Sequence, residues 1–226
     1  MFHDFLNLFY PEVCQICENI LVKNEHVICS NCLHDLPVTN FHLDNENPVK
    51  KVFYGRVKVE NATSLLLFQK KGATQKLIHN LKYRGHRNIG IFLGKWMGEE
   101  LCKADGFSQI DAVVPVPLHP RKLRARGFNQ VENFGKEIAS ALKVPYLDNV
   151  LLKTSFSTSQ TIKARLARWA NIEESFVLSN PELIHKKHVL LVDDIITTGS
   201  TLEACATVLK AAGDVKISVA TMAVAN

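Results

Sequence analysis

Val189-Leu190-Leu191-Val192-Asp193-Asp194-Ile195-Ile196-Thr197-Thr198-Gly199-Ser200-Thr201 is the stretch that decides the fold of this 226-residue chain. Four consecutive apolar residues predict a strand buried on both faces, the habit of parallel sheets. Two acids stand at its carboxyl end, followed by hydroxyl residues around one glycine. Leu202, Cys205, Ala206 and Leu209 then recur at helical spacing up to Gly213, a natural helix stop. Ligands of open α/β sheets bind at the carboxyl ends of strands. A loop that feeds a helix N-terminus suits an anion, because free backbone N–H groups and the helix dipole point the same way. The segment therefore offers carboxylates for sugar hydroxyls or a metal, with a phosphate cradle beside them. Neither G-x-x-x-x-G-K-[ST] nor a G-x-G-x-x-G after a strand is present. The plainer alternative is that the acids end a strand and Ser200 with Glu203 forms a capping box.

Outward from this strand, the chain alternates strand and helix patterns. Ser64 to Phe68 reads as a strand. Ala73 to Tyr83 reads as a helix with Leu77, Ile78 and Leu81 on one face, and Ile89 to Cys102 as a second. Asp111 to Val114 is a short strand stopped by Pro115-Val116-Pro117. A helix from Asn129 or Gln130 to about Leu142, a strand-like stretch over Tyr146 to Leu152 and a last strand over Val215 to Val224 complete the pattern. The fold class is α/β, a mostly parallel twisted sheet with helices on both faces. The polar stretch from Asn40 to Lys51 reads as a linker or exposed loop, which divides the chain into a small module over 1–45 and an α/β domain over 46–226.

Net charge is +5, which suits an anionic ligand without proving one. No apolar stretch is long enough to span a bilayer, so membrane insertion is not expected. The first ten residues lack the basic and apolar regions of a signal peptide, and the expected compartment is the cytoplasm. Four of the six cysteines form two C-x-x-C pairs, Cys14-Gln15-Ile16-Cys17 and Cys29-Ser30-Asn31-Cys32. Each pair can supply two thiolates from one tight turn, and together they suit structural tetrahedral zinc. Two disulfides or a redox pair are the competing readings, although a redox motif occurs once and beside a βαβ pattern. Cys102 and Cys205 fall in helical apolar patterns and read as small core residues, while His26 and His34 read as surface side chains.

After the strand that ends at Val114, a proline-stiffened stretch carries Arg121, Lys122, Arg124 and Arg126. It reads as a ligand loop for polyanionic oxygens, the alternative being a solvated basic turn. His119 is the nearest candidate base for an incoming nucleophile, and a lone His between Leu118 and Pro120 is more often structural. Lys50, Lys51, Arg56, Lys58, Lys70 and Lys71, with Phe53, Tyr54 and Phe68, could meet nucleic-acid phosphates and bases. Ordinary solvated charges are the favoured reading of the same residues.

Val189 to Thr201 is similar to the phosphoribosyl pyrophosphate signature of type I phosphoribosyltransferases. The two C-x-x-C pairs, Lys82-Tyr83-Arg84-Gly85, Pro115 to Pro120, Arg126-Gly127-Phe128-Asn129-Gln130 and this signature follow one another along nearly the whole chain. In that order they resemble the ComF family, competence-associated proteins with a phosphoribosyltransferase fold and an N-terminal zinc ribbon. Ser157, Gln160, Arg168 and Asn171 occupy the positions of a mobile family segment, with Ser157 where threonine is common and Lys163 where leucine often stands. The resemblance implies a phosphoribosyltransferase that releases pyrophosphate to an unknown acceptor, with Mg²⁺ at the leaving group. It gives Asp193 and Asp194 to the ribose hydroxyls and Thr197, Thr198, Gly199, Ser200 and Thr201 to the 5′-phosphate. Lys82, Arg84, Arg121, Lys122, Arg124 and Arg126 are candidates for the pyrophosphate, and the segment around Lys153 to Asn171 could close over the site. Asp193, Asp194, Lys82 and Arg168 are the catalytic candidates. A link to DNA uptake also makes single-stranded DNA or a competence-machinery protein an expected partner. A non-catalytic regulatory module that keeps the pocket is the alternative function.

Overall fold

A computed structural model describes residues 11–154 and 175–225. Its core is a four-stranded, wholly parallel sheet. The strands are β1 (Ala62–Phe68), β2 (Ala112–Pro115), β5 (His188–Ile196) and β6 (Lys216–Ala225), in the order β1-β6-β5-β2. A separate antiparallel pair joins β3 (Leu151–Thr154) to β4 (Ser175–Leu178). Val189 to Val192 are fully buried, as expected of a central parallel strand covered on both faces.

Two apolar layers sandwich the sheet. On one face lie α3 (Ala73–Tyr83), α4 (Asn88–Cys102) and α6 (Glu132–Leu142). Their Leu77, Leu81, Leu93, Phe134 and Ile138 pack with Leu190, Val192 and Met222. The α4 helix can lie close on α6 because a Cβ on Gly94 would come within 2.7 Å of the Phe134 carbonyl oxygen, and one on Gly98 within 2.6 Å of Ala141. On the other face, Leu202, Cys205 and Leu209 of α7 (Ser200–Lys210) pack with Val189, Leu191 and Ile217. Val49 of α2 (Pro48–Lys51) and the neighbouring Phe53 join this second layer.

Several expectations are corrected. The stretch over 40–51 is no free linker: Phe41–Leu43 forms a 3₁₀ turn and Pro48–Lys51 forms α2. Asn47 is only 1% exposed, and its side-chain amide donates to the carbonyls of Phe41, Asp44 and Ala62 at 3.0, 2.6 and 2.7 Å. The basic stretch is not a loop but helix α5 (Pro120–Arg126), with Pro120 in its first turn, where a missing N–H costs nothing. The strand expected over Tyr146 to Leu152 shrinks to one bridge at Tyr146 and then β3. Cys205 is buried, but Cys102 is exposed. His26 and His34 lie on the surface as expected.

Among the described residues, the N-terminal knuckle is short and irregular and includes the helix α1 (Ser30–His34). Val38 bridges Leu66 at the edge of the sheet. Cys14, Ile16, Ile28 and Leu36 share a core with Leu77, Ile78 and Leu81. Among the described residues, no helix is long and apolar enough to cross a membrane.

Candidate functional site

The carboxyl end of β5 carries the candidate site. Side chains alternate along a strand, so adjacent acids face opposite ways. Asp194 turns toward α3 and α6 and is 4% exposed. Lys82, in the last turn of α3, donates from Nζ to its Oδ1 at 2.8 Å, and Gln130 Nε2 donates to its Oδ2 at 2.6 Å. Arg126 in turn donates from Nη1 to Gln130 Oε1 at 2.8 Å. A buried carboxylate persists only when paired and hydrogen-bonded, and this chain of donors meets both conditions.

Asp193 turns toward α7 and the β3–β4 pair. Burial, with the Asp194 charge next to it, pushes its carboxyl up to about 8, while the Asp194 N–H at 2.8 Å and the charges of Lys82 and Lys153 pull the other way. The same burial, with the Asp193 charge added, raises the Cys205 thiol, which is therefore an inert core group rather than a nucleophile.

Beyond the acids, β5 runs on to Ile196 and α7 begins at Ser200. Gly199 makes the corner with φ +73°, a conformation that glycine adopts freely, and a Cβ there would collide with the Val52 side chain. The capping box is not formed, since the N-cap is Gly199 and Glu203 is engaged by Arg56. Thr197, Thr198, Ser200 and Thr201 are exposed. The Thr198 and Ser200 hydroxyls lie 3.0 Å apart.

The expected cations that the structure describes fall in three places. Lys82, Lys122 and Arg126 line one hollow with Tyr83 and Phe128. The Arg126 guanidinium lies 5.2 Å from the centre of the Tyr83 ring. Arg121 and Arg124 are exposed on α5. Arg84 points toward the knuckle, 4.0 Å from Glu18. His119 Nδ1 accepts from the Arg121 N–H at 3.1 Å, so the imidazole caps α5. Arg168 lies outside the described residues, as do Ser157, Gln160, Lys163 and Asn171. Of the residues proposed for nucleic acid, Phe53 is in the core and 2% exposed, and Arg56 is turned onto the loop after β5. Sequence reading missed Gln130 and Arg56 as parts of the site.

The sulfurs of Cys14, Cys17, Cys29 and Cys32 lie within 4.8 Å of one another, and all four are free thiols. Cys17 Sγ and Cys29 Sγ are 3.7 Å apart. Four thiolates on tetrahedral zinc at about 2.3 Å stand roughly 3.8 Å from each other, so the set fits that ion. Burial opposes ionisation of Cys14, yet the amides of Cys17, Cys29 and Ile16 bring its thiol down to about 6. The knuckle docks on α3: Lys76 Nζ donates to the Ile16 carbonyl and Asn80 Nδ2 to that of Gln15, each at 3.0 Å.

Comparison with known proteins places these observations in a lineage. The family described as phosphoribosyl transferase domain matches residues 132–226. The chain is 26% identical over 212 residues to the DNA utilization protein YhgH of Escherichia coli (strain K12), covering 92% of this chain and 88% of that protein. It is 32% identical over 152 residues to the competence protein ComFC of Streptococcus pneumoniae, covering 66% and 64% of the two chains. It is also 32% identical over 111 residues to the competence protein F of Haemophilus influenzae, covering 48% of each. The solved glutamine phosphoribosylpyrophosphate amidotransferase from B. subtilis superposes at a TM-score of 0.37 with 21% identity, over 57% of this chain and 25% of that one. That likeness is too slight to bear on the site.

Proposed function

We propose that this chain, which belongs to the ComF family of phosphoribosyltransferase-like competence proteins, binds phosphoribosyl pyrophosphate at the carboxyl end of β5 and transfers its phosphoribosyl group. One observation carries the reading: the paired acids, the hydroxyl loop at a helix N-terminus and the donors Lys82 and Gln130 meet at one end of one parallel sheet. Asp193 and Asp194 accept the ribose 2′- and 3′-hydroxyls. The Asp194 oxygens keep free lone pairs beyond those given to Lys82 and Gln130, so a sugar hydroxyl adds to the network without breaking it. Thr197 to Thr201 hold the 5′-phosphate with main-chain N–H groups and hydroxyls.

The bond from ribose C1 to the pyrophosphate oxygen breaks, and a bond from C1 to the acceptor, a nitrogen nucleophile, forms. The acceptor loses its proton to solvent, because His119 is spent on capping α5. Negative charge grows on the leaving pyrophosphate, and Lys82, Lys122 and Arg126 around their shared hollow stabilise it. Arg168, outside the described residues, is a further candidate cation for the pyrophosphate by sequence alone. The oxygen donors of the acids and of a diphosphate suit Mg²⁺, which when bound neutralises the leaving group.

A second reading, a factor for single-stranded DNA that keeps the pocket without turnover, is favoured by the exposed cations of α5 beside Tyr83, which is 67% exposed. Titration calorimetry with phosphoribosyl pyrophosphate and Mg²⁺ on zinc-loaded protein tests the pocket. Binding lost in Asp193→Asn and Asp194→Asn supports it, and no heat from the folded wild type removes it. Binding without pyrophosphate release across a panel of nitrogenous acceptors, joined to a salt-dependent mobility shift on single-stranded DNA, favours the second reading.

A further inference from the structure

The turn that follows α2 reaches across the fold to the loop after β5. Arg56 Nη1 donates to the Thr198 carbonyl at 2.6 Å and to the Val52 carbonyl at 3.3 Å. Its Nη2 reaches Ser200 Oγ at 3.3 Å and pairs with Glu203 on α7. One guanidinium fork therefore ties the loop's main chain, its hydroxyl and the first turn of α7 together. The side chain is about one-third exposed, so a surface charge pair alone would be worth little. What it fixes is a peptide plane. Across a planar trans peptide the carbonyl and the following N–H point in opposite directions, and the described residues contain no cis bond. With the Thr198 carbonyl held toward Arg56, the Gly199 N–H must point away from it. Gly199 sits in the left-handed region with Val52 against it, a position where a peptide could otherwise rotate easily.

We infer that Arg56 is a positioning residue for sugar-phosphate binding: it holds the Thr198–Gly199 peptide so that the Gly199 N–H is aimed, before any ligand arrives, at the 5′-phosphate. This rests on the placement of that phosphate at Thr197 to Thr201. Arg56 does not touch the ligand. It acts through the loop, in the manner of preorganised donors that cost no reorientation when the charge arrives. Lysine carries the charge but not the fork, so it cannot serve the carbonyl, the hydroxyl and Glu203 together.

The test uses the full zinc-loaded chain as wild type, Arg56→Lys and Arg56→Ala. Two measurements are made: titration with ribose 5-phosphate and separately with pyrophosphate, and hydrogen exchange of the 196–202 peptide without ligand. Both variants are expected to weaken ribose 5-phosphate roughly tenfold, the worth of one well-aligned charge-assisted hydrogen bond, while pyrophosphate binding stays within about twofold. Exchange in the loop accelerates in both. Should Arg56→Lys bind ribose 5-phosphate as tightly as wild type, local charge alone suffices and the inference is overturned. Unchanged loop exchange overturns it equally, and Arg56→Lys keeps the test valid if Arg56→Ala does not fold. If wild type ignores ribose 5-phosphate while the variants still loosen the loop, the phosphate assignment fails and the clamp on the loop stands.

Discussion

Replacing Lys82 by Met should destabilise the protein by removing the cation from a buried carboxylate, and the size of the loss follows from the geometry. Asp194 is 6% exposed at its side chain and Lys82 18%, with 2.8 Å between Nζ and Oδ1. Removing one partner from a buried pair costs about 3–5 kcal/mol, because the remaining charge is left without compensation. Gln130 still donates to the other carboxylate oxygen and Lys82 is partly open to water, which brings the expected loss to about 2–3 kcal/mol. For a chain of this size that is a fall in Tm of roughly 5–10 °C. The double variant Lys82→Met with Asp194→Asn removes the stranded charge and should be more stable than Lys82→Met alone, by about 1–2 kcal/mol. Urea unfolding of wild type, both single variants and the double variant closes the cycle. A Lys82→Met loss below about 0.5 kcal/mol, or strictly additive single losses, would refute the claim that Lys82 neutralises Asp194 in a buried site.

Asp193→Asn should bind no phosphoribosyl pyrophosphate yet unfold later than wild type. The Asp193 carboxyl rises from an ordinary value of 3.8 to about 8 in the fold, so the folded state binds that proton more tightly and stability falls as pH rises between those values. The variant's thermal advantage should therefore be greatest at pH 8 and vanish near pH 4, and equal melting curves at pH 8 would contradict it. Gly199→Ala, which must adopt a positive φ and meet Val52, should cost roughly 1–3 kcal/mol by urea unfolding and loosen the loop on hydrogen exchange. Cys29→Ser should lose stoichiometric zinc by elemental analysis and release the knuckle from α3, seen as faster exchange at residues 13–36. Retained metal would show that these four thiols are not its ligands.

Features set by neighbouring residues were legible in the sequence, and features set by distant ones were not. Val189 to Val192 announced a strand buried on both faces because apolar continuity is local, and the two C-x-x-C pairs announced a four-cysteine cluster for the same reason. The helix over Pro120–Arg126 was missed because three prolines, Pro115, Pro117 and Pro120, followed by four cations resemble a loop. The available signal was His119 followed by Pro120, a cap and a first-turn proline. The stretch around Asn47 resembled a linker because its polar residues are ordinarily solvated, whereas Asn47 is buried by carbonyls that include one from β1, fifteen positions on. Gln130 and Arg56 were not assigned to the site because their partners there lie 64 and 142 positions away. No local periodicity encodes such pairings, which arise only once the sheet brings its strand ends together.

A structure determined with phosphoribosyl pyrophosphate bound is the most direct measurement. It should place the ribose 2′- and 3′-hydroxyls within hydrogen-bond distance of Asp193 and Asp194, and the 5′-phosphate on the main-chain amides of Thr197 to Thr201 with Arg56 still on the Thr198 carbonyl. A ligand found elsewhere on the molecule, with those two carboxylates untouched, would contradict the proposed function outright.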